Sequence, residues 1–494
     1  MQNWDLIIMM PIFLIASFFI VGFVIYKEKI KKRTYLFLIE ITIFWFAVSV
    51  IGYQLTNYAA SSFQSLSSIS YILMILFGSS FFVLIFKPLA TFLTGFIKLR
   101  KLWTTISYSL LILIGILLSS IQIDKVFIIF LSIIYAILLS TSTIHNLILN
   151  EQHYYRINTL PVTWICYIFI GVGSILGIYF CSLETEVLKL NNYLFFNIFV
   201  ILAGLFVLIF SLTYFKENKN LSGSFDQEVI IQLPKKNNWN FLIIYFLTLL
   251  ISLTYSLSNS LTTKTFMSLK LLESGYLKEE IQTLIRVFDY ASVIPSLLVS
   301  YFIFKYLLKY FGQRYFLMIN LFGLAIMYSI LAFTSNPYIF IVLNIFIGIF
   351  YNQIIYTLFS FCMFWNYRAP SNPVTGFFGT ALFLGKVIIE TTEGALIKDH
   401  TSIFKSLDDI FDINNHETLR ENLTGYGNIL SITFSICAVI VFIMILIYYY
   451  TSKKLIADFV NYRLATQNLK SILKKRVIQK TKTQIDVTKL KIKN

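Results

Sequence analysis

Long apolar runs, each broken from the next by a few polar positions, recur along the whole chain. One series occupies 6–26, 35–54, 69–97, 104–121, 126–149, 160–181 and 193–215, and a second occupies 241–260, 283–310, 315–334, 338–365, 373–396 and 429–450. A helix of about 20 apolar residues crosses a ~30 Å hydrocarbon core. Lipid permits only spans that satisfy their own backbone, which means helices or closed barrels. These runs lack the polar–apolar alternation of barrel strands. The pattern predicts an all-α integral membrane protein with about 13 transmembrane helices.

One long hydrophilic stretch, 216–240, interrupts the series near its middle. It sets six runs on each side and leaves 6–26 over. The expected organisation is an extra N-terminal helix with its basic turn (1–34), a six-helix half (35–215), a cytoplasmic linker (216–240), a second six-helix half (241–450) and a basic cytoplasmic tail (451–494). The linker is expected to be a tether without chemistry of its own.

Composition agrees with the pattern. The hydrophobic fraction is 57%, and the charged fraction of 13% is about half that of soluble domains. The net charge of +16 does not point to nucleic acid, because its excess sits in turns and in the tail, where Lys and Arg hold loops on the cytoplasmic side. The run 6–26 is preceded by Asp5 and followed by KEKIKKR, 27–33. A secretory signal carries its positive charge in front. The run is therefore expected to be a retained helix with its N-terminus outside, which puts the C-terminus in the cytoplasm of a multi-pass cell-membrane protein. The largest outside loop, 397–427, is acidic. The tail is expected to rest on anionic lipid. The four cysteines lie in or beside apolar runs and form no CxxC, so they read as packing residues. No phosphate loop, HExxH or nucleophile elbow is present, which argues against an enzyme. Neither a cofactor nor a metal is expected.

Each half has a short basic turn after its second helix, FIKLRKLW at 96–103 and YFGQRYFL at 310–317. Lys98, Arg100 and Lys101 stand in the first, and Gly312 and Arg314 in the second. Two equivalent halves in one orientation, joined by a long loop, follow the parallel-repeat plan of some transporters. Over 35–450 the chain resembles the major facilitator superfamily, whose gating motif of the Gly-Asp-Arg-Gly-Arg type occupies these two turns. The segment 311–314 resembles the end of that motif. Lys309 stands where the motif has an acid, and the first copy lacks its glycine and aspartate. The resemblance implies a secondary active transporter working by alternating access, expected as a monomer. The turn charges read either as gates or as charges that set topology.

Ionisable groups inside spans are costly and point to function. Lys386, Glu390 and Glu393 are spaced i, i+4, i+7, so they share one helix face. Glu390 is the first candidate to bind a proton or a cationic group, with Lys386 beside it; internal ion pairing is the structural alternative. Arg286 and Asp289 follow at i, i+3 in the outer third of their run. Asn352 and Gln353 put two amides at mid-depth, where amides need partners. Tyr53, Gln54 and Asn57 offer neutral polar groups near the outer end of 35–54. Glu40 reads as a partner for the 27–33 cluster and His145 as a packing residue. Arg286 is the only arginine within a run, which disfavours an organophosphate solute. The expected function is movement of a small polar solute, with proton coupling as an option. A lipid or lipid-linked saccharide flippase of another multi-helix membrane fold is the alternative.

Overall fold

In a computed structural model of the chain the described residues are 3–63, 79–120, 125–154, 159–188, 193–222, 238–368, 371–398, 417 and 419–455, and no strand occurs among them. The elements are α1 (Met10–Lys27), α2 (Lys32–Phe63), α3 (Ser79–Ile97), α4 (Arg100–Ser120), α5 (Lys125–Ile148), α6 (Thr159–Ser182), α7 (Tyr193–Tyr214), α8 (Asn238–Ser258), α9 (Leu261–Glu273), α10 (Lys278–Phe333), α11 (Pro337–Arg368) and α12 (Val374–Lys398). A last span, α13, covers Leu419–Leu455. Among the described residues, 11 stretches are long and apolar enough to cross a membrane, and Phe81–Ile97 is a shorter one. The chain is a multi-pass membrane protein. Most of the acidic loop 397–427 and nearly all of the basic tail lie outside the described residues.

At 56 residues α10 would be about 84 Å long if straight, far beyond one ~30 Å crossing. It is two helices. Gly312 leaves helical geometry at φ 68, ψ 172, a left-handed value that glycine adopts without a Cβ penalty. The break falls in the basic turn 310–317, where the sequence separates the runs 283–310 and 315–334. The first basic turn breaks in the same way two residues before its arginine: Lys98 has φ 59. A lysine there accepts a cost that the glycine avoids.

Helix α2 packs on α6, as α8 packs on α12. Likewise α3 packs on α5, and α10 on α11. Helix α4 packs on α7, and the part of α10 beyond Gly312 meets α13, where Ser431 Oγ donates to Ala332 O and Tyr328 stacks on Phe434. Gly173 and Gly177 allow the α2–α6 contact, since a Cβ at these positions would stand 2.3 Å from Thr42 O and 2.4 Å from Phe46 O.

The end bearing Lys32, Arg33, Arg100 and Lys101 is called the basic end below. There the start of the linker is fastened to the first half rather than left as a bare tether. The Glu217 carboxylate accepts the backbone N–H groups of Arg100 at 2.8 Å and Lys101 at 2.6 Å. It thereby satisfies free donors in the first turn of α4 and complements that helix's dipole. Gln152 and Asn218 exchange two hydrogen bonds, and Arg33 donates to Lys216 O. The linker residues 223–237 are outside the described set.

The extra helix packs against α6 and α10, one from each half. Its inner stripe is Leu6, Met10, Leu14, Ser17 and Val24, while Ile12, Phe18 and Phe19 are exposed on the far side. Ion pairs fix both ends to α10: buried Asp5 with Arg286 at 3.0 Å, and Glu28 with Lys305 at 2.6 Å. Tyr301 also donates to Glu28. Burial would push the Glu28 carboxyl up, but bonds from Lys305 and Tyr301 and the Lys305 and Lys27 charges together hold it below its ordinary value. A depressed carboxyl stabilises the fold above its unfolded pKa, and the benefit fades as pH falls through the folded one. Melting temperature in detergent should therefore drop more steeply below about pH 4 for the native chain than for Glu28→Gln. Superimposable profiles would remove Glu28 from the latch.

Candidate functional site

The two halves meet where α3 crosses α12 and where α6 crosses α11 and α10. At the first crossing lies Lys87, 5% exposed. Its Nζ donates to Ser142 Oγ of α5 at 2.8 Å and sits 5.3 Å from the centre of the Phe383 ring on α12. Among the described residues no carboxylate is within ion-pair distance of it. Gly379 makes room for the lysine, because a Cβ there would be 2.5 Å from Lys87 Cδ.

The neighbour Pro88 shapes the same contact. A proline inside a helix has no N–H, so the carbonyl four residues earlier loses its partner. That carbonyl belongs to Leu84, and Thr380 Oγ1 of α12 donates to it at 3.1 Å. An orphaned backbone group at membrane depth is thus satisfied from the other half. Gly376 allows the approach, since a Cβ there would lie 2.5 Å from Lys87 O. Sequence reading took 69–97 as a plain apolar run and missed Lys87. The signal was the dipeptide Lys87–Pro88 in mid-run.

At the second crossing the halves are sealed by aromatics. Tyr167 stacks on Tyr356 with centroids 4.3 Å apart, and Trp164 meets Tyr356 at 4.6 Å and Phe304 at 5.0 Å. Trp164 and Tyr167 lie in the first turns of α6 and Phe304 lies near Gly312, so the seal stands toward the basic end.

The stripe on α12 divides by function. Lys386 and Glu390 pair at 3.4 Å with 53% and 41% of their side chains exposed. One turn further, Glu393 accepts the backbone N–H groups of Leu261 and Thr262, each at 3.1 Å, and the Thr262 hydroxyl. It caps α9, a 13-residue helix that lies between the apolar runs 241–260 and 283–310. Arg286 pairs with Asp5 and also donates to Asn3 and Thr283, while Asp289 pairs with Lys264 at 2.7 Å.

The amides of α11 turn to α10. Asn352 Nδ2 donates to Ser296 Oγ at 2.5 Å and Gln353 Nε2 to Ser300 O at 2.7 Å, which leaves Gln353 Oε1 buried without a partner. In α2, Tyr53 Oη bonds Thr185 Oγ1 at 2.9 Å. Gln54 is fully buried with neither amide atom partnered, and Asn57 is half-buried.

Of the turn charges, Arg100 is fully buried. Its Nε and Nη2 both reach the Glu151 carboxylate at 3.4 Å, and Nη1 donates to Thr91 O at 3.0 Å and Thr94 Oγ1 at 2.9 Å. Lys101 Nζ donates to Ser211 O at 2.7 Å. The Arg314 guanidinium lies 5.2 Å from the Tyr449 ring centre.

No protein-family profile and no curated protein matches the sequence. Many solved structures share its course, those of three proteins among them. One is FucP, a fucose:proton symporter of E. coli, in its outward conformation; it is 12% identical, with 84% of this chain and 98% of that one covered at a TM-score of 0.52. Another is an inward-facing bacterial homologue of the human lysosomal transporter Spinster; it is 12% identical, covering 86% and 97% at 0.52. The third is the nucleoside transporter NupG; it is 14% identical, covering 82% and 99% at 0.51. The chain thus has the fold of the major facilitator superfamily. A flippase built on a different multi-helix fold is set aside.

Proposed function

We propose that this chain is a secondary transporter that carries a small polar solute across the cell membrane by alternating access of its halves, 35–215 and 241–450. The observation that carries the reading is Lys87, a buried cation without a carboxylate on the contact between the halves. Such a charge is costly, and an anionic or strongly polar solute group entering between α3 and α12 would repay it. The matched packing of α2–α6 with α8–α12, and of α3–α5 with α10–α11, supports a six-plus-six repeat with α1 added, hence thirteen crossings. The basic turns favour a cytoplasmic basic end. The fold neighbours carry fucose with protons, or nucleosides, which favours a polar solute here.

Lys386 and Glu390, half-open and on the part of α12 away from the basic end, are proposed to meet the solute as it enters. Gln54 and Gln353, with unpartnered buried amide atoms, are proposed to contact it further in. Asn352, Tyr53 and Asn57 support them, while Arg100, Lys101, Gly312 and Arg314 brace the gate at the basic end. Reconstituted protein should accumulate one solute class from a panel of sugars, nucleosides, amino acids and short peptides, measured with and without a pH gradient. Glu390→Gln should weaken that uptake. Uptake equal to that of empty vesicles for the whole panel would overturn the reading.

A further inference from the structure

The first half holds another buried ionisable group that the contact between the halves does not use. Glu40 of α2 is 1% exposed, and among the described residues no cation lies within ion-pair distance of it. Tyr108 of α4 donates to its Oε1 at 2.7 Å. Tyr108 Oη is in turn 3.0 Å from His145 Nε2 of α5, and His145 Nδ1 is 3.3 Å from Trp45 Nε1 of α2.

The direction of this chain follows from the indole. A tryptophan N–H only donates, so His145 Nδ1 must accept. In the neutral ring Nε2 then carries the hydrogen and donates to Tyr108, which leaves the tyrosine hydrogen for Glu40. The sequence of donors is Trp45, His145, Tyr108, and it ends on the carboxylate. Phe44 meets the imidazole edge-on at 5.3 Å and Phe37 at 6.1 Å, which shields the chain on those sides.

A cavity of about 370 Å³ opens between α2 and α7 at the basic end, with Glu40 in its wall beside Lys32, Arg33, Phe37 and Phe210. It is large enough for several water molecules. The charged or titratable groups facing Glu40 are Lys101 and Tyr108 from α4, His145 of α5 through Tyr108, Lys32 and Arg33 from α2 itself, and Tyr214 from α7.

We propose that Glu40 is a proton-binding site, loaded and emptied through this cavity, with Tyr108, His145 and Trp45 as the residues that position its carboxylate. Water in the cavity gives a proton to a carboxylate oxygen, and release returns it to water; the hydrogens of Tyr108 and His145 stay in place. A carboxylate is favoured ionised when wetted and neutral when sealed from water and cations. Any rearrangement of α2 against α7 that opens or closes the cavity thus changes its hold on the proton. Its use in coupling rests on the transporter reading above.

Infrared difference spectra of the full chain in lipid vesicles, taken across about pH 5 to 8, test the site without any solute. The native protein should show a carboxyl band that Glu40→Gln removes. Tyr108→Phe, which keeps the ring, should retain the band with a shifted midpoint. Identical spectra for the native chain and Glu40→Gln overturn the proposal. In uptake assays, Glu40→Gln should lose accumulation driven by a pH gradient yet keep solute exchange at equal pH, and gradient-driven accumulation at the native level would also overturn it. The band without uptake of any solute would uphold the proton site and sink the transporter reading. Uptake without the band would do the reverse.

Discussion

Replacing Lys87 by methionine should weaken solute uptake by about ten- to a hundredfold, while the protein stays folded and at least as heat-stable as the native chain. The size follows from the bond at stake: a hydrogen bond to a charged group contributes about 1.5–3 kcal/mol. The direction for stability follows from burial. Lys87 is 5% exposed and has a serine hydroxyl and a phenylalanine face for company, so removing its charge relieves a desolvation cost. Methionine keeps the unbranched stem that passes Gly379. A purely structural lysine would give the opposite pair of results, with uptake intact and melting temperature lowered by several degrees. Concentration dependence of uptake in vesicles and melting in detergent distinguish the two. Gly379→Val should resemble the loss of Lys87 in uptake, because the added Cβ would displace the lysine stem.

The architecture was legible because lipid imposes it. Apolar runs and polar breaks place helices on length alone, and the doubled basic turn is what suggests a repeat. The chemistry was less legible, for reasons visible at individual residues. Lys87 escaped notice because one lysine barely changes the character of a run as apolar as 69–97. Its importance depends on Ser142 and Phe383, which are distant in sequence. The spacing of Lys386, Glu390 and Glu393 gave their common face correctly, but spacing cannot say what a face meets. Glu393 met the start of α9, a helix with too few apolar residues to be read as a span. Arg286 was visible inside its run, and Asp5 was visible as a mark of orientation. Their pairing joins opposite parts of the chain, and local periodicity carries no information about it. Glu217 lay in a segment whose polarity suggested only a tether, yet the free N–H groups of α4 give it a fixed seat.

Breaking the buried pair Arg100–Glu151 should cost the protein about 3–5 kcal/mol, the largest stability loss expected of any single side chain at the basic end. The guanidinium spans three elements. It holds Glu151 beyond the end of α5, and it also holds Thr91 O and Thr94 Oγ1 in the last turns of α3. The two partners are unequal for that reason. Arg100→Met removes every one of these bonds and leaves the Glu151 carboxylate buried without its guanidinium. Glu151→Met leaves an arginine that still donates to Thr91 O and Thr94 Oγ1 of α3. The first variant should melt lower than the second. The double variant should melt higher than Arg100→Met alone, because no uncompensated charge remains. Melting curves in detergent for the four proteins provide the cycle, and additive losses would mean that the pair is not coupled. The consequence reaches the contact between the halves along one face of α3. Thr91 Oγ1 donates to Lys87 O at 3.1 Å, and Arg100 grips Thr91 O one turn beyond. Loosening that end should let the Lys87 segment shift against α12, so Arg100→Met should lower uptake more than its loss of folded protein explains, whereas Glu151→Met, with the grip on Thr91 intact, should not.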